Sequence, residues 1–445
     1  LTRVFEMPAI RILPADDNTN GWSRILPARA PKAALAGDIK ADWIVLGAGY
    51  AGVAAARRLA GNRPNDRIAL IDAQEVGKGT SGRAAGFAID LPHNVSSSME
   101  ELAKSQSYRA LARAAIDHLK QQIDRHGIDC DWRQDGKFHA AVSDQGMREV
   151  LEPTVRELER LKEPFDWLEG DALAKRLGTN HFKAAIFTYG TSLLNPAALV
   201  RGLADSLPGN VTLYENSAVT RIDYGERIHI TTAKGSIQAP AMILTVNGFG
   251  EQFGFFRRKL LNFAAHASLS RKLSDDEYKA IGEIAPWGLT PANSFSGITM
   301  RLTSDRRILV RQNVHFCPSL RQSDARRETV RREHKRLFDE RFPMLPKVDM
   351  EHTWTGFICL SRNGAPGFGQ IAKNVYTSLC QNGVGITKGT IGGILAADMA
   401  CDIDNPLIDD MLKLGSPTGL PPRPFLDLGV RARFAWELWR ARAEV

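Results

Sequence analysis

Residues 42 to 73, DWIVLGAGYAGVAAARRLAGNRPNDRIALIDA, constrain the fold more than any other stretch of the chain. A short apolar run, Trp43 to Leu46, meets Gly47, Gly49 and Gly52; an Ala-rich, helix-favouring segment follows, and a second apolar run, Ile68 to Ile71, ends on Asp72. The pattern predicts strand, tight turn, helix, strand and acid.

Each glycine has its own physical reason. The first permits the tight turn, the second lets the backbone approach a pyrophosphate, and the third lets the helix pack closely. Phosphates then sit at the helix N-terminus, formed by Tyr50 and Ala51 with the glycines, where free amide groups and the positive end of the dipole offset their charge. Asp72 lies 20 residues past Gly52, with Ala73 behind it. A carboxylate there accepts both hydroxyls of an adenosine ribose and repels a 2′-phosphate, so the ligand is expected to be FAD or NAD rather than NADP.

At 445 residues the chain is long enough for two or three domains, possible interleaving included. Five cysteines, without a CxxC pair, argue against a disulfide framework and a structural zinc site, and no metal is expected. A reducing cytoplasm is the expected location: the N-terminal residues lack a signal-peptide core, and Asp16 and Asp17 interrupt the place where one would continue. The first six residues are set aside from the fold reading. The net charge of +8 owes much to Arg321 to Arg341, where arginines alternate with acids as on a solvated helix, and this argues against nucleic acid as a partner. No stretch has the roughly 20 apolar residues of a membrane span. Peripheral contact through 430–443 is the one membrane contact the pattern leaves open.

Along the chain, residues 8 to 40 read as an extended lead-in. After Asp72 comes a small-residue run holding Gly77, Gly79, Gly82 and Gly86, suited to backbone pressed against a planar ligand or to an idle loop. Helical spacing covers Met99 to Ile128 and Glu149 to Leu177. Between them Cys130 to Ser143 reads as two short strands about a turn at 134–136. Asn195 and Pro196 open a helix as cap and first residue. Strands follow in 211–250, then a hairpin in 298–316 turning at 304–306, and finally strand, glycine turn and helix from Asn374 to about Ala400.

GAGYAG at the N-terminal end, GKGTSGRAAG after it, and WTGFICLSRNGAPGFGQI and VYTSLCQNGVGITKGTIGGILAADM near the C-terminal end together resemble the D-amino-acid-oxidase superfamily of FAD enzymes. The nearest branch in look is the one holding γ-glutamylputrescine, glycine, sarcosine and iminodiacetate oxidases. The resemblance implies an α/β fold in which a Rossmann-like FAD-binding domain (40–95, 195–250 and 350–405) is interleaved with an α+β substrate domain on an antiparallel sheet (96–194 and 251–349), with a basic extension at 406–445. It implies FAD contacts at Thr80, Ser81, Gly82, Arg83, Ala84, Ala85 and Gly86, at Val219 and Gly248, and at the late turn Gly383, Val384, Gly385, Ile386 and Thr387. A helix N-terminus after Gly385, aimed at the N1 edge of the isoalloxazine, favours the reduced anion.

Relatives with thioether-bound flavin carry a cysteine just before the motif that here begins at Trp354. This chain has His352 there, so the FAD is expected to be non-covalent. Sarcosine-oxidase-like relatives place a lysine two residues after the last turn glycine, where this chain has Thr387 followed by Lys388. That shift leaves Lys388 either a catalytic residue or a solvent-facing lysine. Arg311, on the return strand of the hairpin, is either a bidentate clamp on a substrate carboxylate or one exposed strand arginine among many. The expected activity is oxidation of a C–N bond in a small amine or amino acid, such as glycine, sarcosine or an iminodiacetate-like secondary amino acid, with oxygen as acceptor and peroxide as product. A dehydrogenase feeding a quinone, an NAD-linked dehydrogenase and a flavin-holding subunit of a hetero-oligomer are the alternatives.

Overall fold

A computed structural model describes residues 10–92, 99–293, 297–440 and 442–444. The first nine residues, including the six set aside above, lie outside the described residues. The predicted unit at 42–73 forms as strand β1 (Trp43–Leu46), helix α1 (Tyr50–Asn62) and strand β2 (Ile68–Ile71), with β1 and β2 parallel. They lie inside a six-stranded sheet whose order is Gly367–Ala372, Val375–Leu379, Ala241–Leu244, β1, β2, Val211–Tyr214. Side chains alternate along β1, so Trp43 and Val45 join a core with α1, while Ile44 and Leu46 join a core with a four-stranded sheet on the other face. Both faces are apolar because both are covered.

The opposite half is an eight-stranded, mostly antiparallel sheet. Its edge begins with three long strands: β3 (Leu261–Ser270) lies between β4 (Ile308–Phe316) and β5 (Met350–Leu360). Beyond β4 come Thr299–Leu302, Trp287–Pro291, Lys137–Ala141, Ala184–Thr188 and Phe165–Glu169. One face carries Phe138, Leu289, Met300 and Val310 against Leu337 and Phe338 of the helix Asp324–Arg341. The other face turns Leu309 and Trp354 toward Trp22 and Ala197, on the nucleotide side.

Helix α2 (Gly385–Ala400) returns from the far end of the chain to pack on α1. A Cβ on Gly393 would lie 2.0 Å from the Ala51 carbonyl oxygen, so only glycine permits this approach. The Ala-rich α1 is the complementary smooth surface.

Three readings need correction. Glu149 to Leu177 is not one helical run: after a helix Glu152–Leu161, Lys162 turns left-handed (φ 55°), Phe165–Glu169 becomes an edge strand paired with Ala184–Thr188, and a second helix covers Gly170–Leu177. Cys130 to Ser143 contains one strand, Lys137–Ala141, and Arg133 makes only an isolated bridge to Leu193. The lead-in at 8–40 contains a short helix, Gly21–Arg24, and a strand, Gly37–Lys40, that joins the four-stranded sheet. Helix Pro196–Asp205 is as expected, with Asn195 Oδ1 accepting from the Ala197 and Ala198 amides at 3.0 and 3.1 Å.

Candidate FAD site

The turn between β1 and α1 is built from backbone. Gly47 has φ +102°, which favours glycine, and its amide donates to the Ile71 carbonyl at 2.8 Å. A Cβ on Gly52 would lie 1.6 Å from the Gly47 carbonyl oxygen, closing the turn against the first turn of the helix. Gly49 caps α1 without any side-chain hydrogen bond, and the Tyr50 amide donates to Ser81 Oγ at 3.2 Å. A Cβ on Gly49 would approach that hydroxyl to 2.5 Å, so the second loop is drawn in where a side chain would stand. The Tyr50 hydroxyl points away, donating to the Pro196 carbonyl at 2.8 Å, and burial raises its pKa well above the usual value.

Asp72 Oδ2 accepts from the Ala48 amide at 2.7 Å and Oδ1 from the Gln74 amide at 2.8 Å. Burial pushes its carboxyl up to about 6, opposed by those two amides and reinforced by the charge of Glu215. Each oxygen keeps a lone pair for a ribose hydroxyl. A cavity of about 480 Å³ opens here, lined by Gly47, Gly49, Asp72 and Ala73, by Thr80, Ser81 and Arg83, and by Val219 and Gly248.

Arg83 reaches the cavity lining, yet its guanidinium is engaged with protein: Nε donates to the Lys78 carbonyl at 2.7 Å, Nη1 to the Thr355 carbonyl at 3.0 Å, and Nη2 to Asp16 and Asp17 at 2.9 and 2.7 Å. The loop it belongs to is a tight knuckle, since a Cβ on Gly82 would lie 2.0 Å from the Gly77 carbonyl oxygen. Asn20 Nδ2 donates to the carbonyls of Gly77 and Gly82, Trp22 Nε1 to that of Ala84, and Trp354 Nε1 to that of Arg83. Ala85 packs beside Trp22, and Gly86, with φ +84°, lies so close to Leu194 that a Cβ would be 2.2 Å from its carbonyl oxygen.

The N-terminal segment, read above as a lead-in, is therefore part of the site. Ile10, Ile12, Leu13, Pro14 and Ala15 line the cavity, and Arg29 binds the fully buried Glu215 through Nη1 at 2.8 Å to both oxygens. Glu215 also accepts the Val76 amide at 2.6 Å, joining strap to loop. The only sequence signal for this was a stretch with Asp16, Asp17, Asn20 and Trp22 but no period of its own, whose polar groups had to be satisfied elsewhere.

The late turn stands on the other side. Gly383 has φ +82°, Val384 packs with Phe87, Ile89 and Leu193, and Thr387 Oγ1 donates to the Ile89 carbonyl at 3.2 Å. Gly385 and Ile386 open α2, whose N-terminus carries no side-chain cap. Tyr50, Ala51, Gly52, Gly82, Ala84, Ala85, Gly86 and the turn 383–387 shape the walls without lining the cavity itself. His352 is outside that lining too, with Nε2 3.9 Å from Glu351 and its Cβ near Gly21.

The sequence model of the family described as FAD dependent oxidoreductase (DAO) matches residues 42–399. The chain belongs to this FAD-dependent oxidoreductase family. The flavoenzyme is 26% identical to the γ-glutamylputrescine oxidoreductase of Escherichia coli (strain K12) over 412 residues, 89% of this chain and 90% of that one. Its fold is similar to glycine oxidase from Geobacillus kaustophilus (TM-score 0.70, 19% identity, 86% and 100% of the chains). It also resembles iminodiacetate oxidase from Chelativorans sp. BNC1 (TM-score 0.67, 18%, 85% and 100%). The residues present fit FAD: an uncapped helix end for the pyrophosphate, a recessed carboxylate for the ribose, and a second uncapped helix end at α2.

Two cations lie outside the lining of that cavity, Lys388 in the first turn of α2 and Arg311 on β4. Arg311 is half-buried by surface area, yet thickly enough surrounded that burial pulls its guanidinium down to about 10, and no charged partner among the described residues offsets this. Lys388 is buried rather than solvent-facing: Nζ lies 5.1 Å from the centre of the Tyr108 ring, and burial lowers its ammonium to about 8. Among the described residues no group of three or more His, Cys, Asp or Glu is placed to hold a metal, and no helix is long and apolar enough to cross a membrane.

Proposed function

We propose that the enzyme oxidises a C–N bond in a small amine that also carries a carboxylate, using non-covalently held FAD. The single observation behind the substrate half of this reading is Arg311: a half-buried guanidinium, its pKa lowered by its surroundings, with no carboxylate partner among the described residues calls for an anionic ligand, because leaving it unpaired there is costly. Bound FAD would supply the two-electron oxidation, the carbon beside the amine nitrogen losing a hydride and the nitrogen a proton to leave an imine that water hydrolyses, with oxygen as the final acceptor reduced to hydrogen peroxide. The protein's own contribution is positioning. Arg311 stands on the sheet face that turns toward the nucleotide half and fixes the carboxylate in a bidentate fork, which sets where the α-carbon lies. Lys388, whose ammonium burial lowers to about 8 and which therefore stays mostly charged at neutral pH, adds positive potential beside the late turn.

The acceptor reading has a rival in a quinone. The helix Phe425–Arg440 leaves Phe425 70%, Leu428 65% and Trp439 62% exposed, a surface that suits a membrane interface. Fast stopped-flow reoxidation of the reduced protein by oxygen supports the oxidase; slow reoxidation with turnover restored by quinones replaces it. The substrate class is tested by peroxide release over amines, amino acids and N-substituted glycines, in which carboxylate-free amines are expected to be poor.

A further inference from the structure

Arg311 is not the only unpaired cation on its face of the sheet. Register places Arg311 opposite Thr299, and the strand after that carries Thr290. Phe138 and Leu289 are partners that point into the helix-side core, so Lys137 and Thr290, one residue away from each, point to the Arg311 side. A direct contact agrees with this: Lys137 Nζ lies 3.4 Å from Thr290 Oγ1, leaning one strand toward Arg311. The strands bearing Arg311 and Lys137 are three steps apart, about 14 Å, and that lean takes up one of them.

Lys137 is 7% exposed and has no carboxylate within 4.0 Å among the described residues, and burial lowers its ammonium to about 8. The one carboxylate in its field, Asp90, is engaged elsewhere: Thr191 Oγ1 donates at 3.2 Å and Arg113 Nη2 at 3.4 Å. Beside it Thr188 Oγ1 is buried without a hydrogen-bond partner among the described residues. Thr188 is the register partner of Lys137 and, with Asp90, lines a second cavity of about 350 Å³.

Other deeply buried arginines in this half have protein partners for part of each guanidinium, although the Nε of Arg301 and of Arg341 is left without one among the described residues. Arg301 donates to the Gly86 and Leu194 carbonyls and pairs with Asp131 at 3.0 Å, and Arg341 donates to the Leu337 carbonyl. Leaving the Lys137 ammonium dry with a long hydroxyl contact and no carboxylate, beside the orphaned Thr188 hydroxyl, is costly unless a ligand completes them. We propose that Lys137 is a second anion anchor, so that the substrate is a dianion: one carboxylate held at Arg311 beside the reacting carbon, and a second carboxylate or like acidic group held at Lys137. This deepens the reading above and rests on it for the first anchor only.

The test uses the FAD-loaded protein and reads perturbation of the flavin absorbance by non-reacting acids. Propionate is compared with malonate, succinate and glutarate. At least one dicarboxylate is expected to bind about tenfold or more tightly than propionate, with an optimum chain length. Lys137→Met should erase that advantage while changing the propionate affinity by no more than about twofold, and Arg311→Ala should weaken both classes. The second anchor is overturned if no dicarboxylate outbinds propionate, or if Lys137→Met weakens both classes equally. If neither class responds to Arg311→Ala, the first anchor is wrong instead, and the dicarboxylate advantage with its Lys137 dependence still decides the second. Should Lys137→Met not fold, the wild-type series decides alone, and Lys137→Arg should keep the preference with a shifted optimum length.

Discussion

The two halves of this enzyme satisfy charge in opposite ways. Around the nucleotide cavity nearly every polar group is already held by protein: Asp72 by two amides, Arg83 by two carbonyls and two carboxylates, Glu215 by Arg29 and the Val76 amide. On the inner face of the eight-stranded sheet, Arg311 and Lys137 have no ion-pair partner among the described residues. A site that is complete before its ligand arrives holds a resident cofactor, whereas a site with unmet charge selects what passes through. Breaking residues in the first half should therefore cost the fold and the FAD together, and in the second half catalysis alone.

The largest effect is expected at Gly52. A side chain there meets the Gly47 carbonyl oxygen at 1.6 Å, a backbone atom that cannot step aside, so Gly52→Val should yield protein without FAD absorbance and without a cooperative melt. The control is Gly61→Ala on the same helix, where a Cβ meets nothing within 4 Å; it should be neutral or stabilise by about 0.5–1 kcal/mol. A folded, yellow Gly52→Val protein would break the contrast.

Glu215→Ala comes next. It strips the buried partner from Arg29 and leaves the Val76 amide unmet, so a loss of about 3–5 kcal/mol is expected in denaturant unfolding, with weakened FAD retention. Unchanged stability would mean that the N-terminal strap is ornamental. Arg311→Ala gives the converse signature. FAD content and melting should hold, while kcat/KM on a carboxylate-bearing amine falls by about 2–4 kcal/mol, roughly thirty- to a thousand-fold; Arg311→Lys should recover part of it. Equal loss on the same amine lacking its carboxylate would make Arg311 an ordinary strand arginine.

The same contrast decides what was legible in the chain. The β1–α1–β2 unit could be read because its constraints are local: Gly47, Gly49, Gly52 and Asp72 act on one another within 26 residues of sequence. The strap could not, since Asn20 and Trp22 find their partners in the loop 77–84 and Arg29 finds Glu215. The edge strand Phe165–Glu169 hid inside helical spacing because only its pairing with Ala184–Thr188 decides its state. Lys388 could be read from the sequence either as a catalytic residue or as a solvent-facing lysine, and it is the packing of α2 on α1 and on the helix Met99–His126 that buries it.

The smallest expected effect is also the sharpest probe of the nucleotide half. Asp72 in the chain without cofactor titrates near 6, above the roughly 3.9 of an unfolded aspartate, chiefly because burial disfavours its charge. The folded state thus holds an extra proton between those values. Its contribution to stability is full below about 4 and is lost as pH rises through about 6, so apo wild type should lose stability relative to Asp72→Asn across that window. Ribose hydroxyls donate only to the charged carboxylate with full effect, so FAD binding should release the proton. FAD affinity should therefore strengthen from pH 5 to pH 7.5 by about tenfold, ~1.4 kcal/mol, read by fluorescence titration, and the slope should vanish in Asp72→Asn. A flat wild-type profile would mean that Asp72 stays charged throughout or does not hold the ribose, and the cavity would then owe its affinity to the helix end and the glycine turn alone.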